Sequence, residues 1–275
     1  NDSAIKAMAA LFAQTSVETL RDYAAFHFLN SHAELLSDEW NNAFFDLFRR
    51  QISGTKEMGT LEQRGITLLN YTDGEEVGKL YVARYYPPAY KQKTEELIGF
   101  VQKSVKEKLE KLTWMDTATR NEALAKLAKF EVQVGYPAKW HDYSSLNISK
   151  DDLINNVHQI RQLKRADVRA KLDAPKRQWE WDEIPQQINA SYSPELNRVT
   201  ILAGISQPPF FDPNADPAVN FGAMGAVIGH EIGHGFDDQG SQNDGDGKLR
   251  NWWTKASKKQ YKAITDRIVA RYNQY

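Results

Sequence analysis

Between Ala4 and Arg50 apolar residues return at helical intervals: Leu20, Tyr23, Phe26 and Phe28, then Leu35, Leu36, Phe44, Phe45 and Leu47. Ser53-Gly54 interrupts this pattern. Polar segments around Asn70 to Gly78 lead into another helical run that stops at Pro87-Pro88, where proline disfavours helix in the residue before it. The spacing then predicts a long helix from about Ala89 to Leu112, and Asp116 reads as the cap of a helix over Thr117 to Lys129. Phe130-Glu131-Val132-Gln133-Val134 alternates and halts at Gly135-Tyr136-Pro137, which predicts a short strand. Ser149-Lys150-Asp151-Asp152 reads as a capping box for a helix reaching about Lys171.

The character of the chain changes after that helix. Pro175 to Pro185, with Trp179 and Trp181, reads as a linker crossing between domains. Ile188 to Tyr192 and Val199 to Ala203, joined by Ser193-Pro194-Glu195-Leu196-Asn197, predict a β-hairpin. The expected fold is mainly α with a small β component (α+β), divided into a helical part over residues 1–185 and a second part over 186–275. No internal repeat or low-complexity segment is present.

Composition narrows the class. Hydrophobic residues at 41% and charged residues at 26% are ordinary for a globular protein, and 35 basic against 36 acidic residues leave no field for nucleic acid. No apolar run is long enough to span a membrane. The absence of cysteine excludes disulfides, thiol catalysis and thiolate-held zinc. No Ser/His/Asp order and no phosphate-cradling glycine loop appears. The alternating charges from Lys91 to Lys111 read as a solvated helix face.

Candidate chemistry is concentrated in Val227-Ile228-Gly229-His230-Glu231-Ile232-Gly233-His234. On a helix, His230 and His234 share one face, with Cβ atoms roughly 5–6 Å apart, so both imidazoles can grip one tetrahedral ion. Glu231 is rotated off that row and is better placed to take a proton from a metal-activated water than to ligate. This points to a metallopeptidase using one Zn2+. Such a string also arises by chance on exposed helices, but here the surrounding run, Ala218 to Asp237, is otherwise apolar or small. Gly225, Gly229 and Gly233 form one row on the same helix; at about 1 kcal/mol each, they imply that another backbone or a substrate approaches closely.

The third zinc ligand is not in view. No Glu follows Glu231 and no His follows His234, and Asp237 and Gly240 stand where a metzincin would place Gly and His. An Asp from the tail, an upstream residue, or a ligand beyond Tyr275 remain open. The helix-like pattern of Ala270 to Tyr275 carries no stop signal, which favours the last.

The longer string His230 to Gly240, followed by Gly247 and Trp252-Trp253, resembles the neprilysin and endothelin-converting-enzyme family of zinc metallopeptidases. Ile188-Asn189-Ala190-Ser191-Tyr192 and Gln207-Pro208-Pro209-Phe210-Phe211 are similar to two further blocks of that family, in the same order. The resemblance implies a helical domain followed by the start of a thermolysin-like zinc-peptidase domain. It implies His230 and His234 as zinc ligands, Glu231 as catalytic base, and Asp237 as the carboxylate orienting a metal histidine. Asn189 and Ala190 would hold the substrate backbone as an added strand. Ile205, Phe210 and Val227 would line the pocket for the apolar side chain after the scissile bond. Oligopeptides are the implied substrates and a complementary C-terminal segment of the same enzyme the implied partner. The lack of cysteine resembles bacterial members, and the family favours an extracytoplasmic (periplasmic or secreted) location. The family's third ligand, a later Glu, and its C-terminal His and Arg have no counterpart, and Ser191 stands where the family usually has an aromatic residue. Two other readings follow: an incomplete half that acts only with a second segment, or a peptide-binding module that does not hydrolyse.

Other motifs read as structure. Asn243-Asp244-Gly245-Asp246-Gly247 fails the calcium-loop pattern and reads as a turn. His27, His32, His141 and His158 read as packed or surface histidines, and Tyr85-Tyr86 and Trp252-Trp253 as packing.

Overall fold

A computed structural model describes residues 2–275. In chain order it contains α1 (Asp2–Gln14), α2 (Val17–His32), a 3-10 turn (Ala33–Leu35), α3 (Asp38–Phe44) and a π-helical turn pair (Phe45–Ile52). There follow α4 (Leu61–Tyr85), α5 (Pro88–Lys111), α6 (Thr117–Ala128), β1 (Glu131–Gly135) and α7 (Leu153–Ala170). The remainder holds β2 (Ala190–Ser193), β3 (Arg198–Leu202), α8 (Pro217–Gly222), α9 (Met224–His234), a 3-10 turn (Gly240–Gln242) and α10 (Lys255–Tyr272). The mainly α fold with a small β component is therefore present.

The residues gather into two compact units that interleave along the chain. The first is Asn1–Thr72 with Ser144–Asp173, the second Asp73–Tyr143 with Ala174–Tyr275. In the first unit α2 starts at Ser16, whose Oγ accepts the backbone N–H of Thr19 at 3.1 Å. Its few buried apolar side chains include Phe45, Val157 and Ile160, whereas α1 and α2 bury none.

The second unit is built round a three-stranded sheet of order β1-β3-β2. β3 is central, antiparallel to β2 and parallel to β1, with Val132 opposite Val199 and Ala190 opposite Ile201. The hairpin and the short strand β1 are where alternation and turn residues placed them; the parallel pairing of β1 with β3, far apart in the chain, left no local signal. Val199, Ile201 and Leu202 are fully buried. Val199 and Ile201 share a core with Met224, Ile228 and Ile232 of α9, Leu97 and Ile98 of α5, and Trp252-Trp253. The Arg198 guanidinium is buried too, and is satisfied by Glu131 and by the carbonyls of Gln178 and Glu180.

Three local expectations need correction. The polar stretch Asn70 to Gly78 is not a connection but part of α4, which continues across a kink at Asp73 (φ −134°, ψ 36°). The cap of α7 is Asp152, which accepts the N–H of Asn155, while the Ser149 hydroxyl accepts the N–H of Asp151. In the Gly225/Gly229/Gly233 row the approach of another backbone fails at two positions: nothing of this chain lies within 4 Å of a Cβ built at Gly229 or Gly233, while one at Gly225 would meet the Asn220 carbonyl at 3.6 Å. The close approaches are at Gly235 and Gly240, where an added Cβ would meet the Phe130 ring at 2.4 Å and the His234 carbonyl at 2.0 Å.

Candidate metal centre

The apolar face of α9 decides how its polar residues point. Ile228 and Ile232 are fully buried against the core, and one step round the helix from Ile232 places Glu231 on the inner side, 8% exposed. His230 and His234, four residues apart, fall on the outer side, one turn above the other.

The two imidazoles converge. Nε2 of His230 and Nε2 of His234 are 3.0 Å apart, with ring centroids at 4.5 Å. Two nitrogens bound to one tetrahedral zinc at about 2.0–2.1 Å would lie roughly 3.3–3.4 Å apart, so the pair fits such an ion with little adjustment. The proton inventory agrees. Asp237 Oδ2 lies 2.9 Å from Nδ1 of His234, and a carboxylate only accepts, so Nδ1 of His234 carries a proton, which is the tautomer that leaves Nε2 of the neutral ring to face His230 as a ligand. The other oxygen of Asp237 accepts the backbone N–H groups of Gln239 (2.9 Å) and Gly240 (2.8 Å), which fixes the carboxylate's orientation.

Burial pushes the Glu231 carboxyl above its ordinary range; the flanking imidazoles pull it the other way, and Glu183 adds to the rise. A carboxylate in this setting is a stronger base than a solvated one. Among the described residues, no third His, Cys, Asp or Glu presents a ligand atom jointly to the His230/His234 pair.

The remaining predicted residues surround this helix. β2 is an edge strand whose residues pack on α9. Ala190 is buried at its start, and Asn189 precedes it with its side chain exposed. Ile205 is buried, and Phe210 and Val227 are half-buried against the same core. The Asn189 amide does not stand free: its Nδ2 donates to Glu183, which also accepts Ser191 Oγ at 2.6 Å. Nothing in the spacing marked Glu183 as a neighbour of this edge.

His141, read as an ordinary histidine, is held by two carboxylates of its own unit, Glu75 at 2.6 Å and Glu180 at 3.2 Å. The Asp244 region is a turn, as expected: its carboxylate accepts the N–H groups of Asp246 and Lys248 and the Arg250 guanidinium. Lys126 was also missed. Thr119, Ala123 and Lys126 are all buried on one face of α6, so a lysine occupies a place in the inward stripe, and that position was the available signal.

Paired imidazoles on one helical face, a buried carboxylate between them in sequence and an adjacent edge strand define the zinc-peptidase class of site. Comparison with known proteins supplies the family. Models of peptidase family M13 match residues 1–137 and 189–275, and the chain belongs to that family. It is 31% identical to human neprilysin over 274 residues, covering 94% of this chain and 36% of that protein. Neprilysin-3 of Drosophila melanogaster is 30% identical over 264 residues, covering 94% of this chain and 34% of that protein. A crystal structure of the Mycobacterium tuberculosis zinc metalloprotease Zmp1 with an inhibitor superposes with a TM-score of 0.89 at 40% identity, covering 98% of this chain and 40% of that one. PepO of a Lactobacillus superposes at 0.80 with 30% identity, covering 86% of this chain and 38% of that one. The chain thus spans about a third of the length of the curated relatives it matches.

Proposed function

We propose that this chain carries part of the catalytic centre of a zinc endopeptidase that cleaves oligopeptides. The observation that carries the reading is the convergence of His230 Nε2 and His234 Nε2 to 3.0 Å, with the His234 tautomer set by Asp237. The two imidazoles would hold the ion. When bound, zinc supplies Lewis acidity toward a peptide carbonyl and toward water. Glu231 has the burial and raised basicity to take a proton from the attacking water and return it to the departing amine. The β2 edge would align an extended peptide by main-chain hydrogen bonds, with Asn189 and Ala190 at the register point and Ile205, Phe210 and Val227 beneath an apolar side chain.

The absence of a third ligand for the pair among the described residues favours a second statement: the set is completed by a further segment of the same enzyme. Without it the chain serves as a structural half. The family resemblance further supports an extracytoplasmic site of action; among the described residues no helix is long and apolar enough to cross a membrane.

The test is cleavage of an internally quenched peptide by the enzyme and by its Glu231→Gln variant. Loss of a general base lowers turnover by about 10²–10⁴-fold. Equal rates in both proteins would remove Glu231 from the role.

A further inference from the structure

Lys126 is a buried ammonium that neither the metal site nor peptide alignment uses. It is 2% exposed, and no carboxylate pairs with it within 4.0 Å among the described residues. Its Nζ donates instead to two carbonyls, Gly240 O at 2.8 Å and Asn243 O at 2.7 Å. It also lies over the rings of Tyr192 and Trp252, with centroids at 5.6 and 5.5 Å. Placing a charge there is costly, and an apolar residue of similar length would fill the same space without that cost.

The carbonyl it grips belongs to a junction. The Gly240 N–H donates to Asp237 Oδ1, and the Gly240 C=O takes both the Lys126 ammonium and the Trp252 indole N–H at 3.0 Å. Gly240 is pressed against the His234 carbonyl so tightly that no side chain fits. The other oxygen of Asp237 holds Nδ1 of His234. A continuous set of bonds therefore runs from α6, through the backbone of one glycine and one carboxylate, to the second imidazole.

We propose that Lys126 is a positioning residue for the paired imidazoles: by pinning the Gly240 backbone through its carbonyl, it holds the adjoining N–H, and so Asp237, where that carboxylate fixes the His234 ring. This rests on the reading of His230 and His234 as the metal pair. A packing role alone predicts loss of stability without selective loss of metal. A positioning role predicts weaker metal binding in a protein that is still folded, because partners of metal ligands govern affinity by about 10–100-fold.

The experiment measures zinc dissociation constants of the whole chain by competition with a chromogenic chelator, for wild type, Lys126→Met, Asp237→Asn and the double variant. Lys126→Met is expected to weaken zinc binding about tenfold, and the double variant to bind no more weakly than Asp237→Asn alone, since both changes break the same path. Unchanged affinity in Lys126→Met, or losses that multiply in the double variant, would overturn the proposal. If Lys126→Met loses its near-ultraviolet circular dichroism, Trp252→Phe replaces it; that variant removes one donor from the same carbonyl and leaves the lysine. Its loss of affinity, several-fold, is expected to vanish in the Asp237→Asn background, and an equal loss in both backgrounds would count against the path. Wild-type chain that binds no zinc would reject the metal pair itself, an outcome distinct from failure of Lys126 alone.

Discussion

The amino-terminal helices α1 and α2 and the β3–α9 block make an instructive contrast. Both regions are helix or strand where periodicity puts them. Yet α1 and α2 bury no residue at all, and Leu11, Phe12, Tyr23, Phe26 and Phe28 are each more than half exposed. In the β3–α9 block, Val199, Ile201, Leu202, Met224, Ile228 and Ile232 are all fully buried. Helical periodicity records that an apolar face exists; it does not say that the same unit supplies the cover. Site geometry accompanies the cover: every residue that orients His230, Glu231 and His234 lies in the second unit. A helix held by fully buried isoleucines can hold two rings to fixed positions, whereas a helix with an uncovered stripe has little to fix its roll.

The sharpest way to break this contrast is to remove equal apolar mass from each side. Ile228→Ala in the buried block is expected to cost about 2–5 kcal/mol, the usual range for a core aliphatic cut to alanine. Leu11→Ala in α1 should stay within about 0.5 kcal/mol. Denaturant unfolding followed by tryptophan fluorescence suits the comparison, because of the seven tryptophans all but Trp40 lie in the second unit. Similar losses in both variants would show that α1 is covered after all.

A second test uses charge rather than volume. Burial lowers the Lys126 ammonium from its ordinary 10.5 to about 8, with Asp237 and Asp244 pulling it back up. Between these two values the unfolded chain binds the proton that the folded chain has released, so folding stability from this residue rises with pH across that window. Below about pH 8 both states are protonated and the full burial penalty applies. Unfolding free energies measured from pH 7 to 10.5 should therefore climb in wild type relative to Lys126→Met. Parallel curves would mean that the ammonium is better solvated than its burial implies.

The smallest expected effects come from the caps. Thr254 starts α10 by accepting the N–H of Ser257 at 3.1 Å, and Ser16 does the same for α2 with Thr19. Each alanine replacement is expected to cost about 1 kcal/mol of local helix stability. The difference lies in where it appears. In Thr254→Ala it should enter global unfolding, because Thr254 also bonds Thr119 and Asp116 of the core unit. In Ser16→Ala it should appear only as faster amide exchange in α2. Global destabilisation by Ser16→Ala would place α2 within the cooperative core.

Legibility followed the range of the determining interactions. His230, Glu231 and His234 were readable because a four-residue helical spacing is local, and so was Asp116 at its cap. Asp237 was readable through resemblance, and its bond to His234 spans only three residues. The parallel pairing of β1 with β3 joins Glu131 to Arg198 across the intervening α7, and no short window contains it. Lys126 reaches Gly240 over a still longer gap. The kink at Asp73 was misread because a cluster of polar residues and glycines weakens helix propensity without ending the helix. The glycine row of α9 left a backbone and a substrate equally open as neighbours, because close packing and open space both tolerate glycine.

The most direct measurement is a zinc titration of the chain followed by histidine side-chain NMR. With six histidines, only His230 and His234 should shift, together, saturating at one equivalent of zinc, and His234 should carry its proton on Nδ1 before and after. Shifts confined to His27, His32, His141 or His158, or a His234 ring protonated on Nε2 throughout, would contradict the metal pair.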